Sequence, residues 1–240
     1  MKTKIFCDIA DFKIIKSFNK KHIVDRYTTK PSIMRQAGPK NYKDYSLKIL
    51  KVCKKKPISF EVFADDTKEM LKQAYKINTW GKNVYVKIPV VNSKGLFMGS
   101  VIKELSNKGI KLNITAVYTY EQVKKIYKIL NKKTKSIISI FAGRMADKGK
   151  DPLPIFKKSI SLTKKILKSI NKKSKVIISI FAGRAADTGK DPVPEFKKSI
   201  ALARKFKNVE ILWASVREPY NFLQAKQLGC HIITVPPGII

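Results

Sequence analysis

One lysine lies in the middle of an apolar run, and its position has the clearest chemical consequence in the sequence. Lys87 interrupts VYVKIPV, residues 84–90, a run with the composition of a buried β-strand. Burial disfavours the charged ammonium and lowers the pKa of a lysine, so that a neutral amine becomes available to form an imine with a carbonyl compound. The alternative is a structural lysine that reaches solvent at the strand end or pairs with an acidic residue.

Two acidic residues occupy comparable positions in other predicted strands. Asp8 follows an apolar run near the amino terminus, and Glu61 lies within ISFEV, residues 58–62. Imine chemistry requires one group that protonates a leaving hydroxyl and another that moves a proton at the bond being broken. The two carboxyl groups could perform these steps beside Lys87, or they could serve only as its ion-pair partners, and the spacing leaves both interpretations open.

A third group of residues has the chemistry of an anion site. Arg144 and Arg217 follow predicted strands and Ser215 lies at the end of one, and a guanidinium fork together with a hydroxyl group suits a dianionic phosphate. Strand alternation places Ser215 on the same face as Trp213. We therefore expect the ring of Trp213 to point into the interior as well.

These residues belong to a regular alternation of short β-branched runs with amphipathic stretches, which is typical of βα units on a parallel sheet. When such a sheet closes into a barrel, polar residues near the carboxyl ends of its strands converge on one mouth. The strand-like runs cover residues 4–10, 24–29, 58–64, 84–90, 111–117, 136–142, 176–182, 209–216 and 232–236.

One βα unit is present twice, which explains why nine strands are predicted. Residues 123–162 align without a gap with residues 163–202, and SIFAGRMAD in the first copy recurs as SIFAGRAAD in the second. Without one copy eight strands remain, the number in a (β/α)8 TIM barrel of about 250 residues. We therefore predict an α/β fold with one barrel domain over residues 1–240, the surplus copy outside the barrel or paired with another chain, and no last helix. The sequence does not decide which copy supplies the sixth strand.

The composition narrows the range of functions. The chain has 51 Lys+Arg against 17 Asp+Glu, a formal net charge of +34, but the lysines are spread over the predicted helices instead of clustering with aromatic residues as in a nucleic-acid groove. No apolar run approaches the roughly 20 residues that span a bilayer, and the amino terminus lacks the apolar centre of a signal peptide. The three cysteines lack metal-ligand spacing. We therefore expect a cytoplasmic protein with no metal, no membrane partner and no specific nucleic-acid partner.

Several of these stretches together resemble the transaldolase family of class I aldolases, and in particular its short bacterial transaldolase-like and fructose-6-phosphate aldolase-like branch. The matching stretches, in the family's order, are FCDIAD at 6–11, TTKPS at 28–32, ISFEV at 58–62, VKIPV at 86–90, NIT at 113–115, FAGR at 141–144 and WAS at 213–215. The resemblance implies a TIM-barrel enzyme that transfers a three-carbon dihydroxyacetone unit between sugar phosphates through a lysine imine. It also implies that no metal or organic cofactor takes part.

The resemblance further implies a role for individual residues. Lys87 would form the imine, Asp8 would assist carbon–carbon cleavage, and Glu61 would transfer protons through a water with the help of Thr115. A phenylalanine at position 141 or 181, where fructose-6-phosphate aldolases carry tyrosine, favours group transfer over simple aldol cleavage. The residues expected to bind substrate are Thr29, Asn113, Ser139, Phe141, Arg144, Ser179, Phe181, Arg184, Ser215 and Arg217.

The sequence also departs from the family pattern. The family's TTNP reads TTKP here, so Lys30 replaces an amide that would hydrogen-bond the bound sugar. Alternatives to an active transferase are therefore a catalytically impaired transaldolase-like barrel and a fructose-6-phosphate aldolase-type lyase. A third hypothesis, nucleic-acid binding, would rest on the net charge alone. An uncovered apolar region at residues 232–240 would favour a homo-oligomer.

Overall fold

Nine parallel strands form the inner layer of the protein, with helices outside them. The computed structural model describes residues 2–29, 31–38, 41–53, 56–141 and 175–240, so Lys30, Arg144 and the junction of the two repeat copies lie outside the described residues. The strands are β1 (Lys4–Asp8), β2 (Arg26–Thr28), β3 (Ile58–Glu61), β4 (Val84–Pro89), β5 (Leu112–Val117), β6 (Ser136–Phe141), β7 (Lys175–Phe181), β8 (Val209–Ala214) and β9 (Ile232–Val235). The helices are α1 (Phe12–Lys20), α2 (Pro31–Gln36), α3 (Tyr42–Cys53), α4 (Thr67–Asn78), α5 (Gly99–Asn107), α6 (Tyr120–Ile129), α7 (Ala182–Asp187), α8 (Val193–Ala203) and α9 (Tyr220–Gln227), and a short 3-10 helix covers Pro237–Ile239.

Each strand pairs in parallel with the next along the chain, and β9 returns to pair with β1, so the sheet closes into a barrel. This confirms the predicted TIM-barrel architecture and the nine predicted strands. The expectation that one repeat copy lies outside the barrel is wrong, because β6 and β7, one from each copy, are neighbours in the sheet. Both strands contain the same apolar IISIF sequence, so each can pair along both of its edges and no edge remains exposed.

The outward side chains of the strands pack against the helices and form the main core. Trp213 belongs to this outer core, since its ring stacks on Phe196 of α8 with the ring centroids 4.3 Å apart. The expectation that Trp213 points into the barrel is therefore wrong. The physical reason is the backbone of Ser215, whose φ of 63° breaks the strand alternation on which that expectation depended.

The register of the sheet brings the polar inward side chains level with one another. Glu61, Lys87 and Asn113 are Cα partners on the successive strands β3, β4 and β5. Asp8 and Thr28 are Cα partners on β1 and β2. Because partners in register point to the same side of a sheet, these side chains share the barrel interior.

Side-chain caps set the starts of two outer helices. Asp66 accepts a hydrogen bond from the backbone N–H of Glu69 at 2.9 Å at the start of α4. Thr119 and Gln122 form a complete capping box at the start of α6. These caps fix where the loops that follow β3 and β5 turn back toward the outside of the barrel.

A buried carboxylate joins three strands at the amino-terminal end of the barrel. Glu210 of β8 is 6% exposed, and its Oε1 lies 2.6 Å from Nζ of Lys4 on β1 and 2.5 Å from Nζ of Lys175 on β7. Burial raises the pKa of Glu210, but the hydrogen bonds from Lys175 and Lys4 outweigh burial, and the net shift is downward. Lys175 is the first residue of β7, the strand from the second repeat copy, so its ion pair with Glu210 connects that copy to β8.

Cys7, Cys53 and Cys230 are free and buried, and burial raises the pKa of each thiol to about 12. Their thiolate fraction at neutral pH is therefore very small.

None of the helices in the described ranges is long and apolar enough to cross a membrane.

Glu210→Gln is expected to lower the free energy of unfolding at pH 7 by about 2 kcal/mol. This is less than the roughly 3–5 kcal/mol lost when one partner of a fully buried pair is removed, because both lysines are more than a third exposed. Since the folded-state pKa of Glu210 is lowered, its contribution is present above the unfolded-state value of about 4.3 and is lost as the pH falls through the folded-state pKa.

Urea denaturation from pH 3 to pH 8 measures this difference. The matched control is Glu69→Gln, which removes an exposed partner of Lys72 and should change stability by no more than about 0.5 kcal/mol. Equal effects of the two variants, or a difference that persists undiminished at pH 3, would contradict this account of Glu210.

Candidate active site

A cavity of about 630 Å³ opens at the carboxyl ends of the barrel strands. Within the described part of the chain, every residue that the sequence predicted for the site lines this cavity. Arg144 lies outside that part. The lining residues from the predicted set are Asp8, Thr29, Glu61, Lys87, Asn113, Thr115, Ser139, Phe141, Ser179, Phe181, Arg184, Ser215 and Arg217.

Lys87 forms an ion pair with Glu61 inside the cavity. The Nζ of Lys87 lies 3.1 Å from Oε2 of Glu61, and the two side chains are only 14% and 17% exposed. The pairing that a purely structural role would require is thus present. It is compatible with imine chemistry too, because a carboxylate at this distance can accept the ammonium proton when a carbonyl compound arrives.

Asp8 is held by a neighbour that the sequence analysis did not single out. Thr28 Oγ1 donates a hydrogen bond to Oδ1 of Asp8, and both side chains line the cavity. The two residues are Cα partners across β1 and β2. Their contact follows from the strand register, which the linear sequence does not reveal. The hydrogen bond orients the Asp8 carboxylate.

A chain of hydrogen bonds fixes the amide of Asn113. Its Nδ2 donates to Oγ of Ser59 at 3.1 Å, and Oγ of Ser139 donates to its Oδ1 at 2.9 Å. Asn113 and Ser59 are both buried. Since both ends of the amide are engaged, Asn113 presents a fixed orientation beside Lys87, its partner in register.

Both repeat copies contribute to the cavity wall, which answers the question of which copy occupies the sixth position. Ser139 and Phe141 come from β6, and Ser179 and Phe181 come from β7. The two phenylalanine rings meet edge to face with centroids 5.6 Å apart, and Tyr118 contacts Phe141 in the same way at 6.0 Å. One side of the cavity is therefore an aromatic wall, built from the duplicated strands and the end of β5.

The rim of the cavity carries two arginines in different environments. Arg217 pairs with Asp187 of α7 through Nε–Oδ1 at 3.2 Å and Nη2–Oδ2 at 2.5 Å, and both side chains are about half exposed. The hydrogen bonds from Arg217 hold the pKa of the Asp187 carboxyl below its usual value. Arg184 lies over the ring of Phe181, with its guanidinium carbon 5.3 Å from the ring centroid. Both cations are thus positioned at the mouth.

Helix α7 and the loop that follows β8 approach each other so closely that one position requires glycine. A Cβ on Gly183 would lie 2.0 Å from the carbonyl oxygen of Ser215 and 3.0 Å from Cγ of Arg217. Ser215 itself has a φ of 63°, and Ala116 at the end of β5 has a φ of 56°. Left-handed backbone at non-glycine residues is costly and is often found at functional sites. Both residues line the cavity.

Sequence reasoning missed several lining residues, among them Arg26, Thr28 and Tyr118. Arg26 and Thr28 belong to β2, a strand of three residues in which a polar residue is unremarkable in sequence. Tyr118 follows β5, beyond the register irregularity between Ile114 and Val117 that redirects the chain. Within the described ranges no group of three or more His, Cys, Asp or Glu side chains is arranged to hold a metal ion.

Comparison with known sequences now decides the family. A sequence model of the family described as "Transaldolase/Fructose-6-phosphate aldolase" matches residues 5–240. The chain belongs to this family. The membership predicted from sequence motifs is thus confirmed, and with it an enzyme of the aldolase class whose general mechanism uses a lysine Schiff base.

Two relatives align over nearly the whole chain. A probable transaldolase of Herpetosiphon aurantiacus is 28% identical over 237 residues, which cover 97% of this chain and 83% of the relative. A probable transaldolase of Nitrosopumilus maritimus is 30% identical over 243 residues, which cover 99% of this chain and 85% of the relative. The chain therefore spans most of the length of both proteins.

Solved structures support the fold at much lower sequence identity. Orotidine 5'-phosphate decarboxylase from Pyrococcus horikoshii superposes with a TM-score of 0.52 at 12% identity, covering 97% of this chain and 88% of that one. KGPDC from Streptococcus mutans superposes with a TM-score of 0.51 at 9% identity, covering 99% of this chain and 89% of that one. At these identities the likeness concerns the barrel architecture alone.

Gly183→Ala is expected to lower the free energy of unfolding by about 1–3 kcal/mol and to displace the Ser215 loop, because the added methyl group meets a backbone carbonyl. The matched control is Gly238→Ala, where the added methyl group meets nothing within 4 Å and the change should stay within about 0.5 kcal/mol. Thermal denaturation of the two variants provides the measurement. Equal stability of the two would show that the close approach at Gly183 does not exist in solution.

Proposed function

We propose that the protein transfers a three-carbon dihydroxyacetone unit between sugar phosphates through an imine on Lys87. One observation carries this proposal: the amine of Lys87 lies 3.1 Å from the Glu61 carboxylate in a cavity that also contains Asp8 and the arginines of the rim. An amine with a proton acceptor at hydrogen-bond distance, shielded from bulk water, is the arrangement that imine formation requires. Membership of the family supports the same chemistry.

Imine formation begins with proton transfer from Lys87 to Glu61. The neutral Nζ then adds to the ketone carbon of the donor sugar, and the carbonyl oxygen becomes a hydroxyl group. Glu61 returns a proton, through a water held with Thr115, to that hydroxyl, which leaves as water while the C=N bond forms. Glu61 and Lys87 are neighbours in register on β3 and β4, so the first transfer, from Lys87 to Glu61, takes place over one short contact.

Carbon–carbon cleavage is assigned to Asp8. Its carboxylate takes the proton from the hydroxyl on the carbon that becomes the aldehyde, and the electron pair of the broken bond moves into the imine to give an enamine on Lys87. The first aldehyde departs, and a second aldehyde then accepts the three-carbon unit by the reverse steps. The hydrogen bond from Thr28 keeps the Asp8 carboxylate turned into the cavity during these steps.

The phosphate group of the substrate is assigned to the rim. Arg184, Arg217 and the loop at Ser215 surround the mouth, and guanidinium groups bind phosphate through paired N–H donors. Arg217 is held in place by Asp187, so a phosphate that enters would share the guanidinium with this carboxylate. Thr29 and Asn113 are assigned to the sugar hydroxyls, together with Ser139 and Ser179 of the two copies.

The two phenylalanines of the aromatic wall favour transfer over release of the three-carbon unit. Phe141 and Phe181 face the cavity and bring no hydroxyl group of their own to bind or activate water near the enamine, and the hydroxyl group of this wall belongs to Tyr118. A longer-lived enamine gives an acceptor aldehyde time to bind. If the enzyme instead protonates the enamine and releases dihydroxyacetone, it is a lyase, and the proposal of group transfer is wrong.

Three further properties are proposed with the function. A cytoplasmic location suits the free, buried thiols of Cys7, Cys53 and Cys230. Self-association is supported by exposed apolar side chains on α9, where Tyr220 is 53% and Leu223 49% exposed. The apolar residues of β9, by contrast, are buried, so the apolar surface that we expected at residues 232–240 is confined to the residues that follow β9. Specific nucleic-acid binding is not part of the proposed function.

Treatment with fructose 6-phosphate and borohydride is expected to add one reduced sugar unit per chain, located by peptide mapping at Lys87. Lys87→Met should abolish this adduct, and Glu61→Gln should slow its formation by about a hundredfold because the proton acceptor is lost. The matched control, Lys82→Met, removes an exposed lysine in the turn before β4 and should leave the adduct unchanged.

Addition of erythrose 4-phosphate separates the two modes of reaction. The transfer proposal predicts a seven-carbon sugar phosphate as product, with little free dihydroxyacetone. Rapid release of dihydroxyacetone that the acceptor does not suppress would identify a lyase. A folded protein with no adduct at Lys87 would remove the proposed function altogether and favour the catalytically impaired barrel.

A further inference from the structure

The two repeat copies place the same serine in the cavity wall, but the two hydroxyl groups have different surroundings. Ser139 of β6 and Ser179 of β7 occupy the same position of the repeat, and both line the cavity. Oγ of Ser139 donates a hydrogen bond to Oδ1 of Asn113 at 2.9 Å. Because a serine hydroxyl has one proton to donate, Ser139 can only accept a hydrogen bond from a ligand.

The hydroxyl group of Ser179 is not engaged in this way. The residue is only 5% exposed, yet its Oγ forms no hydrogen bond with any of the described residues. The hydroxyl groups of Ser46 and Ser199 also lack a partner, but they are fully enclosed, whereas that of Ser179 keeps contact with the cavity. A buried hydroxyl group without a partner costs free energy, which a ligand in the cavity can recover. Ser179 is able both to donate to such a ligand and to accept from it.

The strand register also places the two serines at different depths in the cavity. Ser139 is the Cα partner of Ile177, whereas Ser179 is the Cα partner of Phe141. In register, Ser179 therefore lies two residues farther toward the carboxyl ends of the strands than Ser139. This difference exceeds the stagger of about one residue per strand in a TIM barrel. Ser179 consequently lies nearer to the mouth.

The neighbours of each serine indicate which part of a bound sugar it meets. Asn113, the partner of Ser139, is in register with Lys87, where the three-carbon unit is attached. Ser179 lies on the strand that leads to Arg184 at the rim. The carbons beyond the bond that is cleaved, which we call the aldehyde half, extend from the imine toward the rim. Their hydroxyl groups therefore pass the level of Ser179.

We propose that the duplication has given the two copies of one serine different roles: Ser139 positions Asn113, and Ser179 is a specificity-determining residue that hydrogen-bonds a hydroxyl group of the aldehyde half. The inference deepens the proposed function, and its statement about the aldehyde rests on that function. Ser179 then favours aldose phosphates with at least one hydroxyl group between the aldehyde and the phosphate. An aldehyde phosphate without such a hydroxyl group gains nothing from this contact.

Two acceptor aldehydes test the role of Ser179 in transfer from saturating fructose 6-phosphate. Erythrose 4-phosphate carries hydroxyl groups between its aldehyde and its phosphate, and glycolaldehyde phosphate carries none. Ser179→Ala should raise KM for erythrose 4-phosphate about three- to tenfold, the effect of one lost hydrogen bond, and KM for glycolaldehyde phosphate by less than about twofold. A rise by the same factor for both acceptors overturns the assignment of Ser179.

Unreactive analogues test the same contact without turnover. Erythritol 4-phosphate and 2-hydroxyethyl phosphate have no carbonyl group and cannot form an imine, and only the former has secondary hydroxyl groups. In titration calorimetry, Ser179→Ala should weaken the binding of erythritol 4-phosphate about three- to tenfold and that of 2-hydroxyethyl phosphate by less than about twofold. The matched control is Ser100→Ala, which removes an exposed hydroxyl group on α5 and should change neither affinity. Equal weakening of both analogues, or of neither, overturns the assignment of Ser179.

The side-chain amide signals of Asn113 test the positioning role of Ser139. In 15N-labelled protein these signals are identified by their loss in Asn113→Ala. Ser139→Ala should shift them, because Oδ1 loses its donor, and Ser139→Thr, which keeps the hydroxyl group, should restore them. Ser139→Ala should also lower kcat by a similar factor with both acceptors. Signals that Ser139→Ala leaves in place, or a loss of kcat confined to one acceptor, overturn this role.

Failure of this inference is distinguishable from failure of the proposed function. If no acceptor gives a product while the analogues bind with the predicted difference and the Asn113 signals respond, the proposed function is wrong and the roles of both serines stand. If transfer proceeds but both analogues bind equally well to Ser179→Ala and to the unmodified protein, the assignment of Ser179 is wrong and the proposed function stands.

Discussion

Closure of the parallel sheet fixes which side chains face the interior of the barrel, and the arrangement of the site depends on it. Glu61, Lys87 and Asn113 face one cavity because they are partners in register on three successive strands. A slip of one residue in any of these strands would turn its side chain to the outer core. The ion pair between Lys87 and Glu61 is therefore a product of the register, and the register is held by pairing around the entire ring.

The repeated unit changes the barrel without breaking its closure. A ninth strand increases the circumference of a barrel, and its inward side chains are added to the interior. Here the added strand supplies Ser179 and Phe181 beside their counterparts Ser139 and Phe141, so the cavity wall contains the same pair of side chains twice. Deeper in the barrel, the long side chain of Arg26 occupies part of the interior between aromatic rings. The duplication thus alters the cavity wall while Lys87 keeps its acidic neighbour.

Charged residues within apolar strands made much of the site predictable from sequence. Lys87, Asp8 and Glu61 stand out because a buried strand seldom carries a charge without a reason, and the strands themselves follow from their β-branched composition. The position of the second repeat copy could not be predicted, since it depends on pairing between strands that local composition does not encode. Arg26 was missed because a charge beside Asp25 at the start of a short strand looks like a surface feature. Trp213 was misplaced because a left-handed residue ends the alternation after β8.

We propose that a sugar binds covalently to Lys87 inside a nine-stranded barrel whose wall contains both repeat copies. A crystal structure of the protein reduced with borohydride in the presence of fructose 6-phosphate tests it most directly. Electron density is expected to be continuous from Nζ of Lys87 to the second carbon of the sugar, with Ser139 and Ser179 both facing the adduct. Density for the sugar on a different lysine, or a barrel of eight strands with one copy expelled, would refute this proposal.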